Sequence, residues 1–296
     1  MSCSMYTFCS VSMVLSNKAI STSLSLEDRK RLPQLTVILF QCIVAVVLVE
    51  GAKLMQMVEY PAFNFSTARS WLPLNLLFIG MLVTGFLSLV YVSVPMVTVF
   101  KNLTNLITVS GDVYFFGETV SYLTIASVVL MTLGAVLAGA NDLEFHALGY
   151  FWMVLNCLCT AGYVLYMRFA STNIKLPRFG MVYYNNLLSA MLLLPACIAN
   201  GEMGALLDPT IMTREFVFWN CIAGFLGFYL NFASLWCVAV TSATTYAVVG
   251  ALNKVPITIL GFVLFNAKMT HQGIMYVAVA SFGGLLFGYA KLPTRK

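Results

Sequence analysis

The apolar residues of this chain are gathered into stretches of roughly 20, and that spacing decides most of what it can fold into. A helix needs about 20 mostly apolar residues to cross the hydrocarbon core of a bilayer. Ten segments reach that length, at 2–22, 34–56, 72–92, 95–116, 119–140, 148–170, 180–199, 216–238, 241–265 and 271–290. Barrel strands need only about 10 residues, so the segments predict helices. Pro33, Pro61, Pro73, Pro177 and Pro209 fall between them or at their edges, where a missing N–H costs least. The connectors are short and leave no room for a soluble domain. Charged residues make up 9% of the 296 and hydrophobic ones 60%, against about 25% charged in a soluble domain. This balance excludes a water-soluble enzyme and a disordered chain. The net charge of +5 comes from scattered cations, not the stripe of a nucleic-acid binder. The expected fold class is an all-α integral membrane protein, with 1–296 as one transmembrane domain surrounded by membrane lipid.

The first segment has no basic leading region, and Ser10, Ser12, Ser16, Asn17 and Lys18 interrupt it, which predicts a retained helix rather than a cleaved signal. With the amino terminus inside, the cytosolic segments hold eight cations: Lys53, Arg69, Arg168, Lys175, Arg178, Lys291, Arg295 and Lys296. The opposite loops hold five: Arg29, Lys30, Arg31, Arg214 and Lys268. By the positive-inside rule both termini are expected in the cytosol. The eight cysteines sit in apolar spans and read as small buried hydrophobes. His146 and His271 lie in loops, and neither a metal site nor a cofactor is expected. The sequon at Asn64 falls in a predicted cytosolic loop and that at Asn102 within a span, so neither is expected to carry a glycan.

Shifting the chain by 150 positions lays the fourth and fifth spans on the ninth and tenth. Ile107 then meets Ile257, Thr108 meets Thr258, Gly111 meets Gly261 and Gly134 meets Gly284. Two matched glycines in spans of the same ordinal place favour a duplication. The expected architecture is two five-helix halves, 1–146 and 147–296. Five being odd, the second copy is inverted in the membrane, the arrangement with which many transporters build alternating access around a midplane site.

Lys18, Lys101 and Lys254 stand inside the first, fourth and ninth spans. A central lysine costs about 2.5–3.5 kcal/mol on insertion scales, so it persists in a bundle interior for a reason. Asp112 is the one acid well within a span, and Glu50 lies nearer an end. Lys18 snorkelling to the interface or Lys101 pairing with an interior acid is the plainer alternative. Lys254 lies in Gly250-Ala251-Leu252-Asn253-Lys254-Val255-Pro256. A helix interrupted by Gly and Pro is tolerated in a membrane only where it is buried in protein or lines a cavity. A lysine there suits a bound anion such as phosphate. The seventh span opens with Tyr183-Tyr184-Asn185-Asn186. Adjacent asparagines can be an ordinary helix boundary, or can read a purine edge while a tyrosine ring stacks on the base. Asn231 and Ser234 add polar groups to the eighth span. An anion site and a base-reading site in one bundle suit a nucleotide.

In these residues the chain resembles, over essentially its whole length, the nucleotide-sugar transporters of the drug/metabolite transporter superfamily, and most of all the GDP-mannose transporters. The motif GALNK is intact at Gly250–Lys254, and FYNN is present as Tyr183–Asn186 with tyrosine in the first place. The resemblance implies that Asn185, Asn186, Ser234 and Tyr184 serve the guanine. It implies too that Tyr6, Tyr246, Gly250, Asn253 and Lys254 serve the sugar and phosphate. Lys18, Lys101, Asn102 and Asn231 are possible members of the pathway. Guanine offers N1–H and an amine, so asparagine carbonyls and a hydroxyl suit it, and a mismatched base leaves them unpaired at about 1–3 kcal/mol.

The implied activity is a Golgi antiport of GDP-mannose into the lumen against GMP, with no catalytic residue. Other GDP-sugars, UDP-sugars or phosphorylated metabolites on the same fold are the near alternatives. A receptor or scaffold without flux, and then a membrane enzyme, follow. Gly284 and Gly288 form a GxxxG pattern that serves a homodimer face or close packing within one bundle.

Overall fold

The computed structural model describes residues 2–22, 34–117, 119–174, 176–205, 208, 212–240, 249–250, 252–265 and 270–290. Among the described residues there is no strand. The chain forms α1 (Ser2–Thr22), α2 (Gln34–Leu54), α3 (Phe65–Tyr91), α4 (Val94–Phe116), α5 (Tyr122–Ala140), α6 (Ala147–Asn173) and α7 (Arg178–Ala199). A single helical turn, Glu202–Ala205, precedes α8 (Arg214–Val240), α9 (Lys254–Phe265) and α10 (His271–Ala290). Six of these helices (α2, α3, α5, α6, α7 and α10) are long and apolar enough to cross a membrane.

α1 and α4 have the length but carry too many polar groups: Ser10, Ser12, Ser16, Asn17 and Lys18 on one, Lys101, Asn102, Asn105 and Asp112 on the other. Such helices are stable in a bilayer when protein encloses their polar side. Here α1 packs on α8, and α4 on α5, α6 and α9. α9 begins at Lys254; residues 241–248 of the predicted ninth span lie outside the described residues.

α3 starts seven residues before the predicted span, because Asn64 caps it. The Asn64 Oδ1 accepts from the Ser66 and Thr67 backbone N–H groups at 2.8 and 3.4 Å, satisfying donors that no intrahelical partner can. Pro73 is therefore inside the helix rather than at its edge. The amino end of α2 is capped from a distance, Glu202 Oε2 accepting from the Thr36 N–H at 3.0 Å and its hydroxyl at 3.3 Å. Cys9, Cys42, Cys157 and Cys197 are buried as expected, whereas Cys221 is exposed, on the outward side of α8.

The most extensive pairings are α5 with α10, α3 with α6 and α1 with α8, followed by α2 with α7, α4 with α6, α2 with α8, α4 with α5 and α4 with α9. Glycine sets the first of these. A Cβ on Gly134 would stand 2.7 Å from the Ala280 backbone nitrogen, and one on Gly283 2.9 Å from that of Met131, so the two backbones meet with nothing between them. Gly283, Gly284 and Gly288 are all buried, so the glycine face of α10 is used inside this bundle. α4 and α9 run antiparallel along a ladder of contacts three or four residues apart. Val94 packs on Gly261, the Thr98 and Thr258 hydroxyls meet at 3.0 Å, and Lys254 reaches Asn102.

Candidate functional site

The far end of that ladder brings the charges together. Lys254 Nζ donates to Asn102 Oδ1 at 2.7 Å, and Asn102 Nδ2 donates to the Ala280 carbonyl at 3.2 Å. A Cβ on Gly284 would come 3.4 Å from that same Asn102 oxygen, so glycine keeps room for the pair. Lys101 is exposed although it stands in mid-α4, and its charge is felt by Lys254 and by Cys157 on α6. Among the described residues neither lysine has a carboxylate partner. Two ammonium groups from α4 and α9 thus lie near enough to act on each other's charge, with Lys254 held by the neutral Asn102 amide, chemistry that suits a multiply charged anion.

One helical turn before Lys254, Gly250 faces α1: a Cβ there would lie 3.5 Å from the Tyr6 hydroxyl. Tyr6 and Gly250, read from different parts of the sequence, are neighbours. Asn253 lies between these two features at 2% exposed, and neither polar atom of its side chain has a hydrogen-bond partner. Native structures rarely leave such a group empty-handed, because a buried unpaired amide costs about 1–3 kcal/mol.

Lys18 is elsewhere in function as well as place. It is 7% exposed, and its ammonium donates to the Leu89 and Val92 carbonyls at 2.7 and 2.9 Å. These belong to the last turn and cap of α3, where carbonyls have no intrahelical donor. The lysine closes the two-residue break between α3 and α4, neither snorkelling nor facing the other two cations.

The asparagine pair on α7 forms a second cluster, with α3 and α6. Asn185 is held at both ends: Trp71 Nε1–H donates to its Oδ1 at 2.8 Å, and its Nδ2 donates to the Tyr163 hydroxyl at 2.9 Å. Asn186 turns its Nδ2 back to the Val182 carbonyl at 2.8 Å, leaving its Oδ1 without a partner among the described residues. Tyr184 is wholly buried. Its ring stacks on Phe63 at 5.7 Å, and its hydroxyl accepts from the Asn64 N–H at 2.8 Å. It braces the start of α3. Cys157, beside the lysines, and Tyr163, beside Asn185, are six residues apart on α6, a rise of about 9 Å. The cationic and amide clusters therefore border α6 at levels about 9 Å apart along its axis. Tyr246 lies outside the described residues, as do the side chains of Asn231 and Ser234.

Comparison with known proteins places this arrangement. The Triose-phosphate Transporter family matches residues 1–288. The chain belongs to that family. As a member it is a transporter and not an enzyme. Two of its relatives come from Arabidopsis thaliana. GDP-mannose transporter GONST1 is 36% identical across 97% of this chain and 87% of its own length, and GDP-mannose transporter GONST2 is 34% identical across 97% and 77%. A GDP-mannose transporter of Aspergillus fumigatus is 36% identical over 85% of this chain and 71% of its own. A protein of known crystal structure, 16% identical, superposes with a TM-score of 0.59 over 97% of this chain and 96% of its own, a likeness of fold.

Sequence reading missed Trp71, Tyr163 and Asn75, which hold the α7 asparagines of this transporter from helices far away in sequence. Asn75 Nδ2 donates to the Asn185 carbonyl at 2.8 Å and to the Ser189 hydroxyl at 3.0 Å. Polar residues within the apolar third span were the available signal.

Proposed function

We propose that this carrier exchanges GDP-mannose for GMP across the Golgi membrane, bringing the nucleotide sugar into the lumen with both termini in the cytosol. One observation carries the reading. Lys101 and Lys254 act on each other's charge with no carboxylate partner among the described residues, at a level of α6 about 9 Å from that of Asn185, which with Asn186 carries acceptors of the kind guanine needs. The diphosphate then lies on the lysines and takes over Lys254 from Asn102. The base lies at Asn185 and Asn186, with Ser234 assisting, and the sugar faces Tyr6, Tyr246, Gly250 and Asn253. Lys101, Asn102 and Asn231 line the way in. The names of the relatives and the intact GALNK support the cargo.

In this reading the helices form two inverted halves, 1–146 and 147–296, that rock about the site. Support comes from the pairings. Exchanging the halves turns α3 on α6 into α8 on α1 and leaves α2 on α7, α4 on α9 and α5 on α10 unchanged, while α4 on α6 maps onto the slighter contact of α9 with α1. Exchange is obligatory if the two cations resist closure without an anion between them.

Thermal stabilisation of the purified protein by GMP, UMP, AMP and CMP tests the cargo. Stabilisation by GMP alone is expected. Stabilisation by UMP moves the cargo to UDP-sugars and undoes the roles of Asn185 and Asn186. No shift with any nucleotide removes the reading. The family's description favours a second cargo, a phosphorylated small metabolite held by the same lysines, and stabilisation by a triose phosphate in place of GMP would establish it.

A further inference from the structure

Asn185 is held by two side chains that differ in what they can exchange. The indole N–H of Trp71 only donates, whereas the phenol of Tyr163 donates or accepts. Trp71, at 2.8 Å from Asn185 Oδ1, therefore decides which end of the amide is oxygen. The Tyr163 hydroxyl accepts from Nδ2 at 2.9 Å, and a phenol lacks the indole's restriction to donating. Trp71 is wholly buried and cannot trade this partner for water. The backbone that carries the amide is pinned as well, since Asn75 donates to the Asn185 carbonyl. Each end of the amide keeps capacity beyond these bonds: Oδ1 has a second lone pair and Nδ2 a second N–H.

We infer that Trp71 is a positioning residue that sets the choice of guanine over adenine by fixing the orientation of the Asn185 amide, an inference that rests on the guanine site proposed above. Guanine presents the O6 acceptor followed by the N1–H donor. Adenine presents the reverse order, the N6 amine and then the N1 acceptor. For a base in one pose, an amide locked with oxygen and nitrogen in fixed places matches one order and opposes the other. An amide free to turn over matches both. Tyr163 holds the amide without orienting it, so it contributes to affinity and not to the choice of base.

The experiment compares GMP and AMP affinities of wild type, Trp71→Phe and Tyr163→Phe, by titration of the purified proteins. In Trp71→Phe the GMP-over-AMP ratio is expected to fall about tenfold or more, because AMP gains as GMP weakens. In Tyr163→Phe both affinities drop together and the ratio stays within about twofold. An unchanged ratio in folded Trp71→Phe, or an equal change in Tyr163→Phe, overturns the inference while leaving the guanine site standing. A wild type that binds both nucleotides alike removes the guanine site and the inference with it. Should Trp71→Phe fail to fold, benzothienylalanine at position 71 keeps the ring shape without the N–H and makes the same distinction.

Discussion

Three lysines inside apolar helices look alike in sequence, and the fold separates them. Lys254 and Lys101 face each other's charge near Asn102, whereas Lys18 closes the end of α3. Lys254→Gln is expected to lower GMP affinity about tenfold or more, the worth of a charge-assisted bond to phosphate; unchanged binding and exchange would remove Lys254 from the anion site. Lys18→Met is expected to lower stability by about 2–3 kcal/mol, the value of hydrogen bonds from a charged group to carbonyls at a helix end. Nucleotide affinity then stays within about twofold, read by titration beside thermal unfolding. GALNK and the paired asparagines were legible because their chemistry is carried by side-chain type and spacing. The role of Lys18 was not, since its partners are backbone carbonyls 71 and 74 residues away and any sequence supplies carbonyls. The bracing contacts of Tyr184 were hidden for a related reason: Phe63 and Asn64 lie 121 and 120 residues before it.

Helix positions followed from apolar length, and the departures came from polar chemistry that hydropathy does not weigh. The start of α3 was misplaced because Asn64 extends it through a polar turn beyond the apolar stretch. The close approach of α5 and α10 was half-visible in Gly134 and Gly284, but which glycine touches what is settled only by the register of the two helices. Gly134→Ala puts a methyl against the Ala280 backbone, which cannot yield as a flexible side chain can. A loss of about 1–3 kcal/mol is expected in thermal unfolding. Gly139→Ala meets Tyr150 at an ordinary 3.5 Å and is expected to stay within about 0.5 kcal/mol of wild type. Equal effects would mean that the α5–α10 contact does not set the stability of the bundle.

The molecule as a whole joins helices from both ends of the chain around α4 and α9, whose ladder spans the proposed boundary between halves. If the halves rock during transport, a bond across that ladder stops them. Thr98→Cys with Thr258→Cys, placed where the two hydroxyls meet at 3.0 Å, is expected to lose exchange on oxidation and regain it on reduction. Each single variant remains active under both conditions. Full activity of the cross-linked pair would rule out movement of α4 against α9. The most direct measurement is uptake of labelled GDP-mannose by proteoliposomes containing the purified carrier, with and without GMP inside. Uptake that depends on internal GMP, and that internal UMP does not drive, is the expected result. Equal uptake into empty and GMP-loaded vesicles, or no GDP-mannose uptake by folded protein, would contradict the account.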